Sequence, residues 1–264
     1  MVRIDHYRFS ATDVLRTFAS LGPWWQHLAG DLESDVLHNG ARDLADALTS
    51  VLGRDPEPHP AEVQLSTLGE AVAQHFDGRA TSDDAHRALG VVWEGLHLMM
   101  QTMRASGLVA VEGAGTVRQL NVSHGGVPKT PVETVEVDYG GIVGDIQGNR
   151  THHGRPWQAL CFWSSEVIAA FASAGHPVAP GSAGENVTLS GIDWSIVRPG
   201  IRARVGTVLV DLTAWAIPCR HNARWFADGD FRAMSHERGP VSRVYATVVE
   251  PGRIAIGDAF TLER

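Results

Sequence analysis

The residues from Gly144 to Pro156 gather side chains that bind anions: Gly144-Asp145-Ile146-Gln147-Gly148-Asn149-Arg150-Thr151-His152-His153-Gly154-Arg155-Pro156. Arg150, His152, His153 and Arg155 place four potential cations within six positions. Gly144, Gly148 and Gly154 let backbone approach a ligand closely, and the two guanidinium forks suit phosphate or carboxylate oxygens. The competing reading is a solvated hairpin in which both histidines serve only their neighbours.

Two further segments carry chemistry. Pro180-Gly181-Ser182-Ala183-Gly184-Glu185-Asn186 sets an acid and an amide before a strand, where Glu185 and Asn186 can accept from and donate to the edge of a heterocycle. A turn in which Asn186 satisfies nearby backbone explains the same residues. In Ala216-Ile217-Pro218-Cys219-Arg220-His221-Asn222 a cysteine follows proline beside Arg220 and His221, surroundings that favour the thiolate, the form that attacks or binds a soft metal. Cys161, within Ala159-Leu160-Cys161-Phe162-Trp163, has apolar neighbours and reads as core. Cys219 with His152, His153, His221 or Asp145 is a conceivable zinc set, but no C-x-x-C or H-x-x-x-H spacing accompanies it. His27, His38, His75, His86 and His97 raise the same question further upstream, and His97, near Trp93 and Met100, reads as a core histidine.

The elements that must position these residues divide the chain. Residues 1–110 are expected to form a helical bundle. Its clearest helix starts at Thr81-Ser82-Asp83-Asp84, continues through Leu89, Val92, Leu96, Met100 and Met103 at three and four spacing, and stops at Gly107. Other helices are expected over 11–21, 41–52 and from Pro60 through Phe76. Residues 111–115 read as a linker. From 116 to 264 the pattern turns to short runs punctuated by glycine and proline, with strands expected at 117–122, 132–137, 157–163, 186–189, 201–205, 208–212, 241–249 and 259–262, and one helix over 165–174. The fold class is thus α+β: an all-α bundle followed by a closed or nearly closed β-barrel.

Composition narrows the function. The chain has 264 residues and a formal net charge of −8, long enough for one large or two modest domains and inconsistent with a disordered or fibrous chain. Residues 1–115 hold 8 basic and 16 acidic side chains, and residues 116–264 hold 14 of each, so neither part has the basic excess needed to grip duplex nucleic acid. The N-terminus lacks a signal peptide's basic-then-apolar order, and no apolar run approaches the roughly 20 residues that span a bilayer. A soluble, cytoplasmic protein with no membrane partner is expected. Two cysteines support neither a disulfide framework nor an all-cysteine iron–sulfur cluster.

The order of motifs is more telling than any one of them. Gly125-Gly126-Val127-Pro128-Lys129, Gly144-Asp145, His152-His153-Gly154, Pro180-Gly181 with Gly184-Glu185-Asn186, Val205-Gly206, Pro218-Cys219 and Gly257-Asp258 follow one another over residues 116–264. In this order they resemble the MOSC domain, named for the C-terminal part of molybdenum cofactor sulfurases, and especially its stand-alone bacterial branch that includes the hydroxylaminopurine-resistance proteins. The resemblance implies a β-barrel that binds the molybdenum cofactor (molybdopterin), not pyridoxal phosphate, with Cys219 ligating molybdenum or carrying sulfur. It implies a reductase of small N-hydroxylated compounds. In that reading Lys129, Asp145, Arg150, Arg155, Gly184, Glu185, Asn186 and Arg220 bind the cofactor, and His152 or His153 gives a proton as the N–O bond breaks. Where the family commonly shows His-Gly-Gly this chain has His153-Gly154-Arg155, a bulky cation beside the expected pocket.

Electrons would come from a separate flavin or iron–sulfur partner, since the chain has no nucleotide fingerprint or cluster ligands. The alternative on the same fold is a carrier in which Cys219 holds a persulfide for cofactor assembly. The acidic first domain, which resembles nothing named, reads as a docking or homodimerisation element able to steer a basic electron donor.

Overall fold

The computed structural model describes residues 97, 100, 101, 104, 105, 107, 109–148, 153 and 156–264. The chain divides into two units, Met1–Leu108 and Val109–Arg264. Of the expected bundle only the end of the last helix falls among the described residues. Residues 97, 100, 101, 104 and 105 are helical, and Gly107, at φ 70°, takes the left-handed conformation that ends the run. The other expected helices lie outside the described residues.

The second unit is a barrel. Its strands are β1 (Ala114–Val122), β2 (Thr130–Val132), β3 (Thr134–Asp138), β4 (Gly141–Ile142), β5 (Leu160–Ser164), β6 (Val187–Ser190), β7 (Arg202–Val205), β8 (Val208–Trp215), β9 (Val244–Glu250), β10 (Gly252–Ala255) and β11 (Ala259–Glu263). Hydrogen bonding runs β11-β7-β8-β9-β5-β6-β1-β2 and closes through β11–β1, while β10-β3-β4 form a small separate sheet. Closure depends on β1, which pairs in turn with β11 at Ala114–Thr116, with β6 around a bulge between Val117 and Gln119, and with β2 from Leu120 to Val122. Gly115 is where this strand is tightest, because a Cβ there would lie 2.8 Å from the Ser190 carbonyl oxygen.

Strand β5, Leu-Cys-Phe-Trp-Ser, is buried along its whole length, an apolar run with no polar alternation. Its neighbours are β9, antiparallel, and β6, parallel. A parallel neighbour requires a crossover, supplied by helix α1 (Ser165–Ser173). Ser164 caps that helix, its Oγ accepting from the amides of Glu166 at 3.1 Å and Val167 at 3.2 Å. Phe162, Phe260, Leu120, Leu160 and Leu189 fill the barrel and are fully buried.

Several expected boundaries move for identifiable reasons. The expected strand 157–163 begins as a 3-10 turn, Pro156–Gln158, and pairs only from Leu160. The run 132–137 divides at Glu133, with β2 continuing the barrel and β3 entering the small sheet. The strand expected from residue 241 begins at Val244, because the carbonyls of Val241 and Ser242 accept the indole N–H groups of Trp163 and Trp194, each at 2.9 Å. Strands β4 and β10, two and four residues long, have no periodicity to read. Two of the ordered motifs serve this frame. Gly206, at φ 56°, lies where a Cβ would meet both the Arg253 carbonyl oxygen and Asp258 Oδ2 at 2.5 Å, and Asp258 Oδ2 accepts the Ala255 amide at 2.7 Å. Among the described residues no helix is long and apolar enough to cross a membrane.

Candidate functional site

Asp145 is the hub of the site. It follows β4 and accepts the Ser123 amide at 2.7 Å through Oδ1, and Lys129 Nζ at 2.7 Å and Asn186 Nδ2 at 2.9 Å through Oδ2. The Lys129–Asp145 pair is nearly dry, with side-chain exposures of 9% and 3%. Ser123 shapes the glycine loop between these partners: its Oγ accepts the Gly125 and Gly126 amides at 2.9 and 2.7 Å and donates to the Gly126 carbonyl at 2.6 Å. The Lys129 amide then donates to the Gly181 carbonyl at 2.9 Å, which joins this loop to the second one.

In the second loop Glu185 is fully buried. Its Oε1 accepts the Gly181 amide at 2.5 Å and the Thr188 hydroxyl at 3.3 Å, while Oε2 has no hydrogen-bond partner. Burial pushes this carboxyl above the usual carboxylate range, against the Gly181 amide and the Arg243 charge, which pull it down. Asn186 spends its amide within the protein, accepting the Cys161 amide at 3.2 Å and donating to Asp145, while its backbone N–H bonds the Cys161 carbonyl at 2.8 Å. Of these two side chains, Glu185 is the one left with an unpartnered oxygen, Oε2.

Cys219 lies between the end of β8 and a 3-10 run, Arg220–Trp225, whose Asn222 amide donates to the Cys219 carbonyl at 2.8 Å. Two arginines tie this segment to the glycine loops. The Arg243 carbonyl accepts the Ala216 amide at 2.9 Å, and its Nη1 donates to the Ala183 carbonyl. Arg224 Nη2 donates to the Val127 carbonyl. Val127 in turn packs where Gly184, at φ 92°, has no Cβ: one built there would lie 3.0 Å from Val127 Cγ1. Arg224 and Arg243 thus link the segment on either side of Cys219 to Val127 and Ala183 of the two glycine loops.

The two thiols differ sharply. Cys161 is buried on β5, and desolvation pushes its thiol up to about 11 despite the opposing Arg243 charge. Cys219 is half-buried. At pH 8 an alkylating reagent should therefore label Cys219 and leave Cys161 untouched until the fold opens. Peptide mass mapping before and after denaturation checks this, and early labelling of Cys161 would contradict it.

The structure joins Lys129, Asp145 and Asn186 in one hydrogen-bonded cluster with Gly184 and Glu185 on the adjoining loop, and Arg220, exposed, adjoins Cys219. His153 is half-buried; Arg150, His152 and Arg155 lie outside the described residues. Ser123, Arg224 and Arg243 were not foreseen. Arg243 did leave a signal, as the lone charge at the head of the apolar run 241–249. Among the described residues no three His, Cys, Asp or Glu side chains gather as a metal site.

The family model of the MOSC domain matches residues 149–261. Among solved structures, the chain is similar to the YuaD protein of Bacillus subtilis, at 18% identity over 57% of this chain and 96% of that one, with a TM-score of 0.49. YiiM from Geobacillus stearothermophilus matches at 24% identity over 57% of this chain and 75% of that one, TM-score 0.45. YiiM from Escherichia coli matches at 23% identity over 59% and 71%, TM-score 0.44. No curated protein matches. The family match starts just past Gly144-Asp145, and strands β1 to β4, which precede it, complete or flank the same barrel. Residues 149–261 of this chain are a MOSC domain.

Proposed function

We propose that this domain binds the molybdenum cofactor and that the protein reduces N-hydroxylated compounds with electrons from a separate flavin or iron–sulfur donor. The observation that carries the proposal is the half-buried Cys219, whose flanking segment is tied to the two glycine loops through Arg224 and Arg243 in a barrel whose residues 149–261 match the MOSC domain, while the second cysteine is sealed in the core.

The residues fit the group. A half-buried thiol is a soft ligand for molybdenum, and Glu185 Oε2 is a buried acceptor still in want of a donor. Cys219 would hold the metal, and Arg220, with Arg150 and Arg155, would hold the anionic end of the cofactor. Lys129 faces Asp145, so its main role is to fix the loop, with its remaining N–H donors free in number to serve a ligand. When bound, the cofactor supplies a two-electron centre able to take oxygen from an N–O bond. The overall conversion is R–NH–OH with two electrons and two protons to R–NH2 and water, and His152 or His153 would hold a proton for the departing oxygen.

The test is metal and pterin analysis of protein made in a host that synthesises the cofactor, followed by reduction assays with hydroxylamines and a reconstituted electron donor. Loading with about one molybdenum and one pterin per chain is expected, with turnover of N-hydroxylated substrates. Cyanolysable sulfur without molybdenum would favour a sulfur carrier instead. Neither metal nor pterin, where a known binder loads, would overturn the reductase reading and leave sulfur carriage or simple ligand binding.

A further inference from the structure

We propose that the guanidinium of Arg243, beside the second glycine loop, is an anion-binding group that takes an oxyanion, a phosphate, sulfate or carboxylate, through Nη2. The proposal goes beyond the reductase reading and stands without it.

Arg243 stands immediately before β9 and is buried, with 5% of its surface exposed. A guanidinium carries five N–H donors and does not give up its charge. Here it donates one hydrogen bond, from Nη1 to the Ala183 carbonyl. Nε is sealed from solvent and has no acceptor. Nη2 makes no hydrogen bond either, but it is not among the sealed atoms, so it is the nitrogen that a ligand can reach. Among the described residues Arg243 has no ion-pair partner. The other well-covered cations of the barrel do: Lys129 has Asp145 at 2.7 Å, and Arg202 has Asp211 at 2.8 Å.

The residue also sits where two segments of the site meet. Its carbonyl accepts the Ala216 amide at 2.9 Å, three residues before Cys219, and the neighbouring Ser242 hydroxyl donates to the Ala216 carbonyl at 3.4 Å. On the other side Nη1 reaches the second glycine loop, where Gly184 keeps the space beside it clear of a side chain: a Cβ built there would lie 3.9 Å from Nη1 and 3.0 Å from Val127 Cγ1. The carboxyl that feels the Arg243 charge is Glu185, which is fully buried, and burial pushes it toward its neutral form. A guanidinium taken out of water without a paired counter-charge is costly. An oxyanion on Nη2 supplies that charge together with a charge-assisted hydrogen bond, which a neutral ligand cannot do.

The experiment titrates inorganic phosphate into the full chain without cofactor, at constant ionic strength set with chloride, and follows binding by calorimetry and by the unfolding midpoint. Wild type is expected to bind and to melt higher with phosphate present. Arg243→Met should weaken binding at least about tenfold, the loss of one charge-assisted hydrogen bond. Arg243→Lys, which keeps the charge without the fork, should fall between the two. Arg253→Met, which alters an exposed arginine of β10 on the separate small sheet, should bind as wild type does. A wild-type readout guards against a variant that folds poorly: the Arg243 guanidinium resonance in a nitrogen-15 spectrum should move as phosphate is added. Absence of binding by wild type, a guanidinium resonance that stays still, undiminished binding by Arg243→Met, or equal loss in Arg253→Met would overturn the proposal. Repeating the titration on cofactor-loaded protein separates two sources of the anion. Competition marks the cofactor's own phosphate as the occupant, and undisturbed binding marks an acidic substrate. The cofactor-free titrations need no molybdenum, so their failure is distinct from failure of the reductase reading.

Discussion

Cys219→Ala is expected to abolish molybdenum retention and to lower turnover of N-hydroxylated substrates by at least about a thousandfold, equivalent to roughly 4 kcal/mol of barrier, with little change in the unfolding midpoint. The two halves of this expectation have separate causes. Loss of function follows because the chain has one other thiol and it cannot substitute: Cys161 is buried on β5, its thiol pushed up to about 11 by burial. Stability is spared because the Cys219 side chain makes no capping hydrogen bond to the 3-10 run it precedes and is half-buried. Truncations at such positions usually stay within about 0.5 kcal/mol. Cys161→Ala should do the reverse, keeping the metal while lowering the midpoint, since it opens a gap on a wholly buried strand. Metal content beside a thermal melt for both variants checks the pair. If Cys219→Ala kept molybdenum, its assigned role would fall.

How much of this was readable in the sequence depends on the range of the interaction involved. The eight expected strands all exist, because each is long enough to show an apolar run bounded by glycine, proline or serine. What periodicity missed was set from a distance. Val241 and Ser242 read as strand, but two tryptophan indoles from other parts of the chain claim their carbonyls. The start of β1 was hidden because Ala114 and Gly115 are small, and only their pairing with Thr261 and Phe260 makes them strand.

The site divides in the same way. Lys129, Asp145, Gly184, Glu185 and Asn186 were legible as residue types, but their partners were not. Nothing in residue order states that Asn186 faces Cys161 on one side and Asp145 on the other. Nor does it show that Arg243 reaches across to Ala183 while its own carbonyl holds the approach to Cys219. Hydrogen bonds between residues 22 to 97 positions apart are products of barrel closure, and local pattern carries no trace of them.

The largest stability effect is expected at Asp145, and it distinguishes a supporting role from a ligand-binding one. Asp145→Ala strips the acceptor from the Ser123 amide, from Lys129 Nζ and from Asn186 Nδ2, and leaves Lys129 as a nearly buried ammonium with no counter-charge. Breaking a buried pair from one side costs about 3–5 kcal/mol, which for a domain of this size is a fall of roughly 10 °C in the unfolding midpoint. Asp145→Asn should rescue little, because its oxygen can serve Ser123 only by turning N–H donors toward Lys129 and Asn186. Adding Lys129→Met to Asp145→Ala removes the stranded charge, so the double variant should be more stable than Asp145→Ala alone, with a coupling on the order of 1–3 kcal/mol. Urea unfolding of the two single variants and the double provides the cycle. Strict additivity would mean that the 2.7 Å Lys129–Asp145 contact contributes nothing to the fold and that Asp145 is held in place for a ligand instead. A strong coupling would make Asp145 the post on which the Gly125–Lys129 and Gly181–Asn186 loops are hung, and through Arg224 and Arg243 the frame of the Cys219 thiol as well.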